Sequence, residues 1–313
     1  MLRTTRPRKS RTWRERTDMA TEPMKEDISN MPISKADETA DAPRTADAAL
    51  RAEAARTAQA GPMAGKKNVV VLGVTSALGR RLAESILARG LTPVGLIGEA
   101  GHSESLRAAG TEPLVIASEA DRTSPAALRA MGECGGIAVA TGTGWGPDAT
   151  DTSSTSLVGE LMGVAQLVGI RRFVLVSAYL PDDELHTRLG DELESYLAEK
   201  RDVERKLAGH DLDWCVVRPG MLDNSPATGL VTVRGGADPQ PEGTVSRTDL
   251  AETICEALFA PEPVRGVLAV SAGAQPIRAA LGSVPQATVQ PAWWCAEERA
   301  EGAAEKRADS PAS

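Results

Sequence analysis

The feature that most constrains this chain is a short strand, a glycine-bearing turn and an amphipathic helix in immediate succession. Asn68-Val-Val-Val-Leu72 is an apolar, β-branched run, Gly73-Val-Thr-Ser-Ala-Leu-Gly79 follows it, and Leu78–Arg89 then carries Leu82, Ile86 and Leu87 at helical spacing. A strand apolar on both faces is expected of a parallel sheet covered by helices on either side. The alternation continues, with strands expected at Pro93–Ile97, Pro113–Ile116, Gly136–Ala140, Arg172–Val176 and Trp214–Val217. Helices are expected between them, at about 103–109, 125–131, 155–168 and 191–208. Repeated strand–helix units with right-handed crossovers define an α/β class with a doubly wound parallel sheet.

Such sheets bind ligands at the carboxyl ends of their strands, near the point where strand order reverses. The first turn therefore matters most. A dinucleotide-binding turn of Rossmann type needs glycine at the turn, where the pyrophosphate approaches, and where the helix packs on the strand. Gly73 and Gly79 fill the first and third roles, and Ser76 or Ala77 fills the middle one, according to the alignment. Thr75, Ser76, Ala77 and Leu78 would then line the pyrophosphate at the helix N-terminus, where free N–H groups and the dipole favour an anion. Glu99 lies twenty residues after Gly79, just beyond Val94-Gly-Leu-Ile97. A carboxylate there accepts the ribose hydroxyls of NAD and repels a 2′-phosphate. Gly98 takes the place where a basic residue would serve NADP, although Arg80 and Arg81 are within reach on the helix. The balance of this reading tilts to NAD.

Composition sets the outer bounds. Of 313 residues, 43 are Asp or Glu and 35 Lys or Arg, a net charge of −8, which argues against nucleic-acid or anionic-membrane partners. Four well-separated cysteines (Cys134, Cys215, Cys255, Cys295) form no C-x-x-C pair, so neither a zinc site nor a disulfide framework is expected. Residues 1–17 hold seven basic side chains against Glu15, and the stretch on to about Gly65 is rich in Ala, Thr, Asp, Glu and Pro. Too little apolar surface is available there to offset the entropy of ordering, so 1–65 reads as a disordered tail, as does 291–313. The folded part is then 66–290. Arg outnumbers Lys 27 to 8 and Ala is abundant, which suggests a GC-rich bacterial genome and makes cytoplasmic residence the default expectation.

The chemistry points to one helix. Tyr196 is followed four residues later by Lys200, which puts both on one helical face with Leu193, Leu197, Val203 and Leu207. A lysine in an apolar stripe needs a partner, and Glu204 is the bland choice. The functional choice is that Lys200 contacts the nicotinamide ribose and lowers the Tyr196 pKa, so that Tyr196 exchanges a proton with a substrate oxygen as hydride moves. Ser177 closes the strand Phe173–Val176, where its hydroxyl is placed either to hold the same oxygen or to cap local backbone. The three histidines (His102, His186, His210) form no metal-ligand spacing.

Taken in order, these segments resemble the atypical short-chain dehydrogenase/reductases, in their NAD(P)H-binding, NmrA-like branch. The landmarks are Val69–Gly79, Asp121–Leu128, Gly169–Ser177, Tyr196-x-x-x-Lys200, Leu212–Gly220 and Val245–Ala251. The resemblance implies a Rossmann domain with a small substrate-covering region at about 221–250. It further implies an adenine contact from Asp121, cofactor-lining roles for Thr141 and Gly142, and a place beside the nicotinamide for Pro219 and Gly220. Two functions are compatible with it. One is an NAD(P)-dependent oxidoreductase of a small carbonyl, alcohol or quinone-like substrate, using Tyr196, Lys200 and Ser177. The other is a non-catalytic dinucleotide sensor or assembly factor that regulates a protein partner.

Overall fold

A computed structural model describes residues 65–140, 155–179, 183–236 and 238–284; the expected tails, apart from Gly65, lie outside these residues. The parallel strands are β1 (Asn68–Leu72), β2 (Thr92–Ile97), β3 (Glu112–Val115), β4 (Cys134–Val139), β5 (Arg172–Val176), β6 (Asp213–Pro219) and β10 (Gly266–Ala272). The others are β7 (Met221–Asp223), β8 (Leu230–Gly235), β9 (Thr244–Ser246) and β11 (Gln275–Pro276). The helices are α1 (Ala77–Ala88), α2 (Ser103–Ala108), α3 (Glu119–Arg122), α4 (Pro125–Gly132), α5 (Thr155–Val168), α6 (Asp183–Ala208), α7 (Arg247–Phe259) and α8 (Ile277–Gly282), with a 3₁₀ turn at Ala100–His102.

One nine-stranded sheet runs in the order β11-β8-β10-β6-β5-β4-β1-β2-β3, parallel from β10 to β3. From β1 the chain steps outward to β2 and β3, then returns to β4 on the other side of β1. The order therefore reverses between β1 and β4, and the crevice above that junction is where such a sheet takes its ligand. Alternation along β1 explains the two layers of core. Val69 and Val71 join Leu78, Leu82 and Ile86 of α1 and Leu250 and Ile254 of α7. Val70 and Leu72 face the other way, toward Met131 of α4, Met162 of α5 and Leu207 of α6.

The α/β, doubly wound reading holds, with additions at the C-terminal end. The expected sheet stops at Val217, whereas β10 adds a further parallel strand and β8 pairs antiparallel to it. The segment 221–250 is thus only partly a separate cover. β8 belongs to the main sheet because Val231 is buried in the core, and only β7 and β9 stand apart as a parallel pair. Arg172, 2% exposed at the start of β5, donates to the carbonyls of Ala257, Ala260, Pro261 and Glu262, so a buried guanidinium closes the end of α7. Cys134, Cys215 and Cys255 are buried thiols. No described helix is long and apolar enough to cross a membrane.

Candidate functional site

Gly73 has φ +82°, in the left-handed region that favours glycine, and Ser76 N–H donates back to its carbonyl at 3.0 Å to close the turn. Ser76 is the N-cap of α1, and its Oγ accepts from Gly79 N–H at 2.9 Å. The same hydroxyl donates to the Ala140 carbonyl at 3.3 Å, across the junction of β1 and β4. The middle position of the turn is therefore held by Ser76 and not by Ala77. A Cβ at Gly79 would lie 1.9 Å from the Gly73 carbonyl oxygen, so only glycine permits the helix to start here. In the first turn, the N–H groups of Ala77 and Leu78 have no helical carbonyl to bond. Together with the turned-in Ser76 hydroxyl, which leaves the outer side of the loop to backbone, these residues fit a pyrophosphate.

Leu78 is buried in the core and contributes only its backbone to that edge, while Thr75 is half-buried on the loop. Glu99 is exposed at the end of β2, directly before the 3₁₀ turn. Asp121 sits in α3, and its Oδ2 accepts from both the N–H and the hydroxyl of Ser118 at 2.8 Å, a capping box that holds the carboxyl below its ordinary pKa. One of its oxygens is thus committed locally. Thr141 and Gly142 lie outside the described residues. Pro219 ends β6, buried, and Gly220 N–H donates to Val270. A Cβ on Gly220 would meet the Gly243 carbonyl at 2.6 Å, so glycine lets the 243 backbone close over this strand end.

Tyr196 and Lys200 share a face of α6, with Lys200 Nζ 5.5 Å from the Tyr196 ring centroid. Here one expectation is corrected. The spacing suggests a lysine that lowers the phenol pKa, yet burial pushes Tyr196 up to about 12. Desolvation of the would-be phenolate outweighs the nearby ammonium, which lies over the ring. Ser177 is 3% exposed, and its Oγ makes no hydrogen bond to Tyr196 or to any other described group.

Sequence reasoning missed the ion pair beside it. Glu204 does not serve Lys200 but takes Arg218, with Nε–Oε1 at 3.1 Å and Nη2–Oε2 at 2.8 Å. Arg218 Nη1 also reaches Asp238 at 2.6 Å, and the guanidinium stands 5.9 Å from the Tyr179 ring centroid. Val176 pairs with Val217, so Ser177 and Arg218 follow at the same level and leave the sheet on the same face, toward α6. The signal was available: a charged residue inside the otherwise buried run Cys215–Pro219 needs a buried counter-charge. By helical rise, Tyr196 lies about 12 Å along α6 from Glu204.

A Gly-bearing turn at the switch point of a doubly wound sheet defines a dinucleotide-binding protein. The chain belongs to the NAD(P)H-binding family, whose model matches residues 73–261. It is 27% identical over 219 residues to the uncharacterized sugar epimerase YhfK of Bacillus subtilis, covering 68% of this chain and 98% of that one. A chloroplastic protein of Arabidopsis thaliana, At2g34460, is 27% identical over 227 residues, covering 67% of this chain and 78% of that one. Among solved structures, one from Bacillus halodurans described as an NAD-dependent epimerase/dehydratase superposes with a TM-score of 0.56 at 25% identity, over 69% of this chain and 99% of that one. The anaerobilin reductase ChuY of Escherichia coli O157:H7 shares the fold, with a TM-score of 0.52 at 23% identity over 66% of this chain and 97% of that one.

Proposed function

We propose that the chain is an oxidoreductase that moves hydride between a nicotinamide dinucleotide at the β1–α1 turn and a small carbonyl, alcohol or quinone-like substrate. Tyr196 is its acid/base. The observation that carries this reading is the raised Tyr196 phenol on the Lys200 face of α6. A phenol with a pKa of about 12 is fully protonated at neutral pH, so it serves as a proton donor and favours the reductive direction. As the proton leaves toward the substrate oxygen, the Lys200 ammonium offsets the charge that develops on the phenol. The bound dinucleotide supplies the hydride. Ser177, buried with an unpartnered hydroxyl, would donate to the same substrate oxygen.

Tyr196→Phe tests the assignment. Removing a general acid costs about 10²- to 10⁴-fold in turnover while dinucleotide affinity stays within a few-fold. Turnover that survives the change intact removes Tyr196 from the chemistry. One observation favours a second reading, a non-catalytic dinucleotide sensor acting on a protein partner: the turn carries Ser76-Ala77 where a dinucleotide loop has its middle glycine. That reading expects dinucleotide binding with no turnover of any carbonyl or quinone offered.

A further inference from the structure

Two carboxylates share the Arg218 guanidinium, and they are held differently. Glu204 takes Nε and Nη2 from within α6 and is 1% exposed, whereas Asp238, from the segment between β8 and β9, takes Nη1 and is 43% exposed. An ion pair with a half-exposed partner is worth little net, because water solvates that partner again when the pair opens. A second carboxylate that brings contacts of its own can therefore take the place of Asp238 at Nη1, while Glu204 stays. We propose that Arg218 anchors a substrate carboxylate and that Asp238 is the internal stand-in it displaces, so that the substrate is an oxo acid or the corresponding hydroxy acid. The inference rests on the oxidoreductase reading and narrows its substrate class.

Position and charge carry it. Ser177 and Arg218 stand at one level of neighbouring parallel strands, about 5 Å apart at Cα, and leave the sheet on the same face. Ser177 Oγ is buried with no hydrogen-bond partner among the described residues, and a buried hydroxyl in that state calls for one. The Tyr179 ring, 5.9 Å from the guanidinium, contacts the cation without using its in-plane N–H donors, which suit a carboxylate. The exchange conserves charge, since one carboxylate leaves Nη1 and one arrives. Nor does it uproot the segment that carries Asp238. Four residues on, Glu242 N–H donates to Ser271 Oγ at 2.9 Å, the Glu242 carboxylate pairs with Arg234, and the Gly243 carbonyl accepts from Met221 N–H. One strand over, Ala269 is in register with Arg218 and borders a polar cavity of about 80 Å³ with Thr232, Gln240 and Ser271. At about 30 Å³ per water that is space for two to three waters, enough for the three heavy atoms of a carboxylate.

Calorimetric titration of the full chain, saturated with NAD⁺ or NADP⁺ so that no hydride transfer accompanies binding, tests the anchor. The probes are 2-oxopentanoate, 4-oxopentanoate and 6-oxoheptanoate, each beside its neutral methyl ester. At least one acid should bind about tenfold more tightly than its ester. Asp238→Asn removes the competing charge, so it should tighten that acid by about fivefold and leave the ester unchanged. Glu204→Leu with Arg218→Met removes both buried charges together and should erase the preference, a matching thermal melt certifying the fold. If that double variant melts early, Asp238→Asn and the esters decide alone. Three acids that bind no better than their esters, an unchanged preference in Asp238→Asn, or a preference that survives the folded double variant overturns the anchor and leaves the dinucleotide reading standing. A folded chain that takes up neither dinucleotide overturns the oxidoreductase reading and the anchor with it.

Discussion

The Arg218 guanidinium and the Glu204 carboxylate meet in the interior as a two-point ion pair, their side chains 3% and 1% exposed. It pins α6, which carries Tyr196 and Lys200, to β6. Through Arg218 Nη1 the same cation holds Asp238, so the helix, the sheet and the segment beyond β8 share one charge. Net worth and cost of breakage differ sharply for such a pair. Desolvation offsets most of the attraction, whereas removing one partner leaves a charge buried without compensation.

Glu204→Gln should therefore destabilise the fold by about 3–5 kcal/mol, whereas the double change Glu204→Leu with Arg218→Met should recover most of that loss. Urea unfolding of the two variants beside the wild type measures both. A Glu204→Gln protein as stable as wild type would mean the pair is not structural.

Asp249 is a latch on the segment between β7 and β8. Buried at the start of α7, it accepts from the N–H groups of Thr228 at 3.0 Å and Gly229 at 2.8 Å, and from the Ser246 hydroxyl at 2.9 Å. Asp249→Asn replaces an accepting oxygen by a donor and leaves N–H groups facing it, at a cost of about 1–3 kcal/mol. Limited proteolysis should then cut at 224–229 in the variant well before wild type is nicked. Equal cleavage would assign those hydrogen bonds no role in holding the segment.

Both tyrosines titrate late. Burial raises Tyr196 to about 12, and burial reinforced by Asp238 raises Tyr179, against about 10 in an unfolded chain. The native state thus keeps protons that the unfolded state releases. Stability from this source is whole below pH 10 and declines as pH rises toward 12. At pH 10.5 Tyr196 of the folded protein should add little tyrosinate absorbance near 295 nm, so the native signal should fall clearly below that of the denatured chain, in which both tyrosines ionise near pH 10. A native signal equal to the denatured one at that pH would refute the buried environment of Tyr196.

The strands β1 to β6 were legible because they are apolar runs whose burial on both faces is written in their composition, whereas the equally buried inner strand β10 was missed. β8 and β11 were missed too, since an antiparallel edge depends on a partner far along the chain, as in the pairing of Val233 with Val270. The choice between Ser76 and Ala77 could not be made locally either. It is fixed by a hydrogen bond to Ala140, 64 residues away. Spacing placed Tyr196 and Lys200 on one face but carried no information on desolvation, which decides the direction of the Tyr196 shift.

The central claim is that a nicotinamide dinucleotide seats on the β1–α1 turn at the junction of β1 and β4. Hydrogen–deuterium exchange of the full chain without dinucleotide and with saturating NADH or NADPH tests it most directly. Slowed exchange concentrated in the peptides spanning Gly73–Arg80 and reaching Ala140 is the predicted result. A chain whose turn exchanges at the same rate with and without the dinucleotide, while protection arises elsewhere or nowhere, would contradict it.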